Sequence, residues 1–274
     1  MWTASEGRVK PRLEGKIAVI FGAGGYVGAA VAREFAAQGA HLFLSGRTKS
    51  RVQAVADAIS ADGPTAAAVE LDALDEDAVN RHLDQVVATA GRVDIVFNAM
   101  GPQPTEYGNA TSTMDLPVAK FMLPVTTIVA SQFITARSAA RHMVREGSGV
   151  LIFLSATVSR GVAPNTSAIG TAYGAVESMT RSLAVELGPL GVRVACVRSM
   201  GMPETRTMQQ TYEMGGKAMG VPKEKMAEII TSRALLGRSP SLVDTATLIS
   251  FLASDEARSI TGAIVNSSSG QVLD

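Results

Sequence analysis

Four glycines fall within the run Gly22-Ala23-Gly24-Gly25-Tyr26-Val27-Gly28. A short apolar stretch, 16–21, precedes the run, and Val27, Ala30, Val31 and Phe35 follow at helical spacing, so the run reads as a turn from strand to helix. Glycine in such a turn permits positive φ and lets the backbone approach a pyrophosphate, while the free N–H groups of the following helix face the anion. Gly22, Gly24, Gly25, Tyr26, Val27 and Gly28 are therefore candidate dinucleotide-binding residues, with an ordinary tight turn as the alternative. At the end of the next expected strand stands Gly46, followed by Arg47 and Thr48. An Asp or Glu there would bond the adenosine ribose hydroxyls of NAD. A guanidinium instead suits a 2′-phosphate through paired charge-assisted bonds, and Thr48 adds a hydroxyl. Arg47 and Thr48 thus favour NADP(H) over NAD(H), unless Arg47 is a solvated loop charge.

Such groups need a scaffold that gathers strand ends. Hydrophobic periodicity predicts strands over 16–21, 41–45, 66–71, 93–98, 150–154, 192–197 and 263–266. Helices are expected over 51–59, 76–90, 124–145 and 172–187, the second of these ended by Gly91. Repeated βα alternation implies one α/β domain, a Rossmann-type doubly wound fold with a mainly parallel sheet and right-handed crossovers. In such sheets a ligand lies beyond the carboxyl ends of the strands where strand order reverses, which brings the glycine run, 98–101 and 155–157 near one another. No linker or repeat divides the 274 residues.

Composition narrows the partners. Lys+Arg and Asp+Glu balance at 25 each, so nothing draws the chain to nucleic acid or an anionic membrane, and a small-molecule substrate fits better. The lone cysteine, Cys196, excludes a disulfide framework and sits in an apolar strand, where a buried thiol is the simpler reading. His41, His82 and His142 lack metal-ligand spacing, so no metal is expected. The polar start, 1–13, has no signal-peptide pattern and no later apolar run nears the length of a membrane span, so a cytoplasmic location is expected.

The chain resembles the short-chain dehydrogenase/reductase family along essentially its whole length, most closely over 17–47, 71–79, 93–101, 175–187 and 235–262. The resemblance implies that Asp72 and Ala73 lie by the adenine, and that Asn98-Ala99-Met100-Gly101 takes the place of the family's Asn-Asn-Ala-Gly segment, with Asn98, Ala99 and Gly101 as cofactor residues. Phe21 stands where Thr is usual and Tyr26 where the middle glycine of the turn is usual. The resemblance also implies a homotetramer or homodimer packed through the helices 124–145 and 172–187.

At the catalytic end the resemblance breaks. The family uses a Ser, a Tyr, a Lys four residues after the Tyr, and an Asn on an earlier helix; the Tyr moves the substrate proton and the Lys lowers its pKa. The stretch from Tyr173 to Glu177 mimics the Tyr-to-Lys spacing, yet 175–184 matches the family segment that begins two residues after the Lys. Counted back, Tyr173 holds the Lys position, Ile169 the Tyr position and Ala156 the Ser position. Ile128, with Thr127 beside it, stands at the Asn position, and Arg198-Ser199-Met200-Gly201 replaces the Pro-Gly after the sixth strand.

Three readings follow. In the first, the chain is an NADP(H)-dependent oxidoreductase with a relocated acid: Tyr173, Ser155 and Thr157 form the hydroxyl set, and Arg198 supplies positive charge. A phenol titrating near pH ~10 donates a proton better than it accepts one, which favours reduction of a carbonyl or enone of a small apolar substrate. Tyr173 as a packed helix aromatic is the alternative. In the second reading the apolar Ile128, Ala156 and Ile169 mark an inactive NADP(H)-binding sensor or oligomer partner. In the third, a lyase or isomerase uses the pocket with Glu177 or Tyr173 as acid or base, although Glu177 is expected on a solvated helix face. Finally, the stretch 199–226 is Met-rich and punctuated by Gly and Pro, and Gly215, Gly216 and Gly220 are expected to let it move as a lid over the substrate, with core methionines as the alternative.

Overall fold

Strands that are apolar at every position need cover on both faces, and that demand organises this molecule. The computed structural model describes residues 11–61 and 66–274. Among these, seven strands form one parallel sheet: β1 Ile17–Phe21, β2 His41–Gly46, β3 Ala66–Glu70, β4 Ile95–Asn98, β5 Gly149–Ala156, β6 Val192–Ser199 and β7 Ile264–Ser267, in the order β3-β2-β1-β4-β5-β6-β7. Strand order reverses between β1 and β4. The helices are α1 Tyr26–Ala37, α2 Lys49–Ser60, α3 Glu76–Ala90, α4 Val118–Pro124, α5 Ala130–Glu146, α6 Ser167–Leu187, α7 Arg206–Met219, α8 Lys223–Thr231 and α9 Leu242–Ala253.

Period-two alternation divides each strand between two apolar layers. Ala18 and Ile20 of β1 join Val31 and Phe35 of α1, Val52 of α2 and Ile249 of α9 on one side. Ile17, Val19 and Phe21 join Leu83 of α3, Met143 of α5 and Val176 of α6 on the other. The single Rossmann-type sheet is therefore wound on both faces.

Local signals explain the element ends. Asp75 caps α3 by accepting from the Ala78 N–H, Glu76 and Asp77 complement the first turn, and Gly91 at φ 82° closes the helix. Ser241 and Asp244 form a capping box at α9. By contrast α1 starts behind Gly25 with no side-chain cap and no acidic residue in its first turn, which leaves its N-terminal N–H groups and positive end available.

Several expected boundaries move. The helix expected from 124 begins at Val118, because Pro124 is carried inside it and followed by a π turn over Val125–Val129. β5 and β6 run to Ala156 and Ser199, each lengthened by pairing with the other through Ser155↔Arg198 and Ala156↔Ser199. Of the expected polar extension 1–13, residues 1–10 lie outside the described residues, and Leu13 is a sealed core residue whose N–H donates to the Gln38 carbonyl at 2.9 Å.

The 199–226 stretch is largely helical. Its centre is the helix α7, capped by Thr205 and packed on α8. Gly215 and Gly216 sit in close contacts: a Cβ on Gly215 would lie 2.9 Å from Met226 Cε, and one on Gly216 would lie 2.7 Å from the Val221 carbonyl oxygen. They are small so that α8 can approach. Met200 and Met202 are buried.

Candidate active site

The carboxyl ends of β1, β2, β3 and β4 meet at the reversal of strand order. Phe21 pairs with Ser45 on one side and Asn98 on the other, and Gly46 pairs with Glu70. The glycine turn hangs from this junction: the Ala23 N–H donates to Ser45, the Ala99 N–H to Phe21, and the Leu71 N–H to Gly46.

The turn is tight, and glycines are needed where its backbone passes too close for a side chain. Gly22, at φ +74°, would put a Cβ 3.1 Å from the backbone of Ala99 and Met100, and a Cβ on Gly28 would lie 2.9 Å from Ala23 Cα. Gly25 closes the turn by donating its N–H to Gly22. Tyr26 takes the first helical position and is 54% exposed. Val27 packs toward the α1 side of the sheet. A pyrophosphate fits this arrangement: close backbone approach, unpaired helix N–H groups and no facing carboxylate in the first turn of α1.

The expected cofactor residues line the same edge. Arg47 and Thr48 are exposed directly after β2, and Thr48 occupies the N-cap of α2 without a side-chain cap bond. Asp72 turns its carboxylate back to accept from the Leu74 N–H at 3.0 Å, and Ala73 is buried. Asn98 is 1% exposed, accepts from the Met100 N–H at 2.8 Å and donates to Thr135 Oγ1 at 3.3 Å. Its amide therefore shapes the 98–101 turn from beneath. Gly101 faces Ile128, whose Cγ1 lies 3.6 Å from where a Gly101 Cβ would be.

At the catalytic end, Ile128, Ile169 and Tyr107 belong to one apolar cluster, with Tyr173 packed against it. Burial, reinforced by the neighbouring Cys196 thiol, pushes the Tyr173 phenol up to about 12. It is therefore protonated at neutral pH and suited to donating rather than accepting. Tyr107, in the loop after β4, is also raised, by burial first and then by Tyr173. Tyr107 thus lies near Tyr173, a relation with no sequence signal because 66 residues separate them. Cys196 is pushed up to about 12 by burial and is inert as a nucleophile. Thr157 is buried at the start of a short 3₁₀ turn.

Ser155 is committed elsewhere. Its hydroxyl donates to Glu177 Oε1 at 2.8 Å, and Ser159 donates to the same oxygen at 2.6 Å. Arg198 completes the group with Nε on Oε1 and Nη2 on Oε2, both at 2.8 Å. The expectation of a solvated Glu177 is thus overturned: it is 5% exposed, turned in from α6 onto β6. Arg198, 2% exposed, is likewise no free cation for a substrate, since its remaining nitrogen donates to Asp274. Burial alone would raise the Glu177 carboxyl; the hydrogen bonds from Arg198, Ser159 and Ser155 and the Arg198 charge outweigh it and hold the carboxyl below its usual range. A permanently ionised, fully bonded carboxylate is a poor acid or base, which removes the support for Glu177 in an elimination.

Comparison with known proteins agrees with this architecture. A family model described as Enoyl-(Acyl carrier protein) reductase matches residues 22–271. Secoisolariciresinol dehydrogenase of Forsythia intermedia is 30% identical over 253 residues, 92% of this chain and 87% of its own. L-rhamnose 1-dehydrogenase (NAD(P)(+)) of Azotobacter vinelandii is 34% identical over 259 residues, 90% of this chain and 93% of its own. Versicolorin reductase stcU of Emericella nidulans is 29% identical, covering 94% of this chain and 96% of its own. Among solved structures, an NAD+-bound xylitol dehydrogenase superposes with a TM-score of 0.87 at 23% identity, over 93% of this chain and 98% of the other, which establishes the shared fold.

Proposed function

This chain belongs to the short-chain dehydrogenase/reductase family, and on that premise we propose that it is an NADP(H)-dependent oxidoreductase with an atypical active site, reducing a carbonyl or enone of a small apolar substrate. The observation that carries the proposal is the tight glycine turn at the reversal of strand order, with Arg47 and no carboxylate at the end of β2. Bound NADP(H) supplies the hydride chemistry. The chain's own residues do the rest: Gly22 to Gly28 receive the pyrophosphate, Arg47 and Thr48 the 2′-phosphate, and Asp72 and Ala73 border the adenine. Asn98 holds the turn on which Ala99 and Gly101 sit.

Tyr173 is the proton donor in this reading. Its phenol at about 12 keeps its proton throughout the neutral range and presents it to an oxygen that gains electron density. Ile128 and Ile169 keep the surroundings dry, which favours an apolar substrate. Self-association through α4 to α6, as a homodimer or homotetramer, is part of the proposal, and Val118 at 76% and Val185 at 78% exposure are apolar residues on these helices left uncovered. A cytoplasmic location is part of the same proposal.

A second reading, an inactive NADP(H)-binding sensor or partner, draws on the commitment of Ser155 to Glu177. A panel of carbonyls and enones with NADPH, run on wild type and Tyr173→Phe, separates the two. Turnover lost by at least ~10²-fold in Tyr173→Phe supports the reductase. NADPH binding without turnover across the panel supports the sensor.

A further inference from the structure

Gly24 lies at the meeting point of the glycine turn and the first turn of α2. A Cβ on Gly24 would stand 3.0 Å from Arg51 Cβ and 3.4 Å from Val52 Cγ2. The stem of Arg51 thus passes over the space that the missing side chain leaves. On the other side of Val52, a Cβ on Gly46 would lie 3.1 Å from Val52 Cγ2 and 3.9 Å from the Gly24 nitrogen. Gly46, Gly24 and Arg51 are therefore packed around one contact, and Arg47 follows Gly46 directly.

Two arginines are consequently rooted at the same corner, Arg47 at the end of β2 and Arg51 in the first turn of α2. Both are exposed, and neither has an ion-pair partner among the described residues. What sets these two positions apart is their place, on either side of the contact between the glycine turn and α2. The nearest carboxylates on the neighbouring strand end, Glu70 opposite Gly46 and Asp72 bonded to the Leu74 N–H, do not reach them. Lys49 adds a third cation to the same turn of helix.

We propose that Arg51 is a second specificity-determining residue for NADP(H), closing on the 2′-phosphate from the side of the glycine turn while Arg47 holds it from the side of β2. The inference rests on the NADP(H) reading above and adds a residue to it. A dianionic phosphate between two guanidiniums gains charge-assisted bonds from each. Gly24 is then required twice over, for backbone approach to the pyrophosphate and for passage of the Arg51 stem.

The test is equilibrium binding to the full chain of 2′,5′-ADP, which carries the 2′-phosphate, beside 5′-ADP, which lacks it. Wild type, Arg51→Ala, Arg51→Lys and Arg47→Ala are compared by calorimetry. Arg51→Ala is expected to weaken 2′,5′-ADP by about tenfold and to leave 5′-ADP within about twofold, with Arg51→Lys intermediate. Equal weakening of both nucleotides, or no weakening of either, overturns the role of Arg51. If Arg47→Ala shows the selective loss and Arg51→Ala does not, only this inference fails. If wild type itself does not prefer 2′,5′-ADP, the NADP(H) reading fails and takes the inference with it.

Discussion

Replacing Arg198 by Met strands a carboxylate. In the structure Glu177 receives two bonds from Arg198 and one each from Ser155 and Ser159, at 5% exposure. Removing one partner of a buried ion pair costs about 3–5 kcal/mol, mostly the penalty of the charge left behind. At about 2–3 °C per kcal/mol for a chain of this size, Tm should fall by roughly 6–15 °C. Removing both charges, in Arg198→Met/Glu177→Met, leaves only hydroxyls and Asp274 short of a partner, and the cost should shrink to about 1–2 kcal/mol. The double variant is therefore expected to be about 2–4 kcal/mol more stable than Arg198→Met alone, and far from the sum of the two single variants, in urea denaturation of all four proteins.

The pH dependence fixes the sign. In wild type the Glu177 carboxyl is held below its unfolded value, so its contribution is present above about 4.5 and is lost as pH falls through the lowered folded value. In Arg198→Met the burial that raises this carboxyl is no longer outweighed, the folded state takes up the proton more readily than the unfolded one, and the deficit should narrow between pH 8 and pH 5. Single variants within about 1 kcal/mol of wild type, or a double variant that merely sums them, would refute the account of a desolvated, mutually dependent pair.

Three further outcomes follow from the geometry. Gly22→Ala must place a Cβ at φ +74° and 3.1 Å from the Ala99 and Met100 backbone, so NADPH affinity measured by fluorescence should drop at least about tenfold while the far-ultraviolet circular dichroism is kept. His82 is held neutral to about 4 by burial, from an ordinary 6.5, with its ring edge-on to Phe21 at 6.0 Å. The unfolded chain binds this proton first, so wild type should lose up to about 3 kcal/mol between pH 6.5 and pH 4, and a His82→Phe variant should show a flatter denaturation profile there. Any turnover that depends on Tyr173 should be level from pH 6 to pH 9, because its phenol ionises at about 12; a rate that rises or falls tenfold across that window would remove Tyr173 as the donor.

What was legible in the sequence followed from local physics. Asp75 and Gly91 fence α3 within a few residues of themselves, and both ends of that helix fall where capping predicts. The glycine turn was legible for the same reason, since an apolar strand, a glycine run and a helical period sit side by side. The illegible parts depend on distant neighbours. Glu177 looks solvated on α6 because its partner is 21 residues away on β6, and only the packing of that helix on that strand turns it inward. Gly215 and Gly216 read as breakers because nothing in their own neighbourhood announces Met226 and Val221 as the groups they make room for. Ser155 carries a hydroxyl at a strand end in either case; whether it is free is decided by side chains on α6 and β6.

The central claim is that the glycine turn and Arg47 make an NADP(H) site. Titration of the full chain with NADPH beside NADH, followed by nucleotide fluorescence on wild type and Arg47→Ala, tests it most directly. The account predicts NADPH binding at least about tenfold tighter than NADH, with the difference lost in Arg47→Ala. Tighter binding of NADH, or binding of neither, would contradict it.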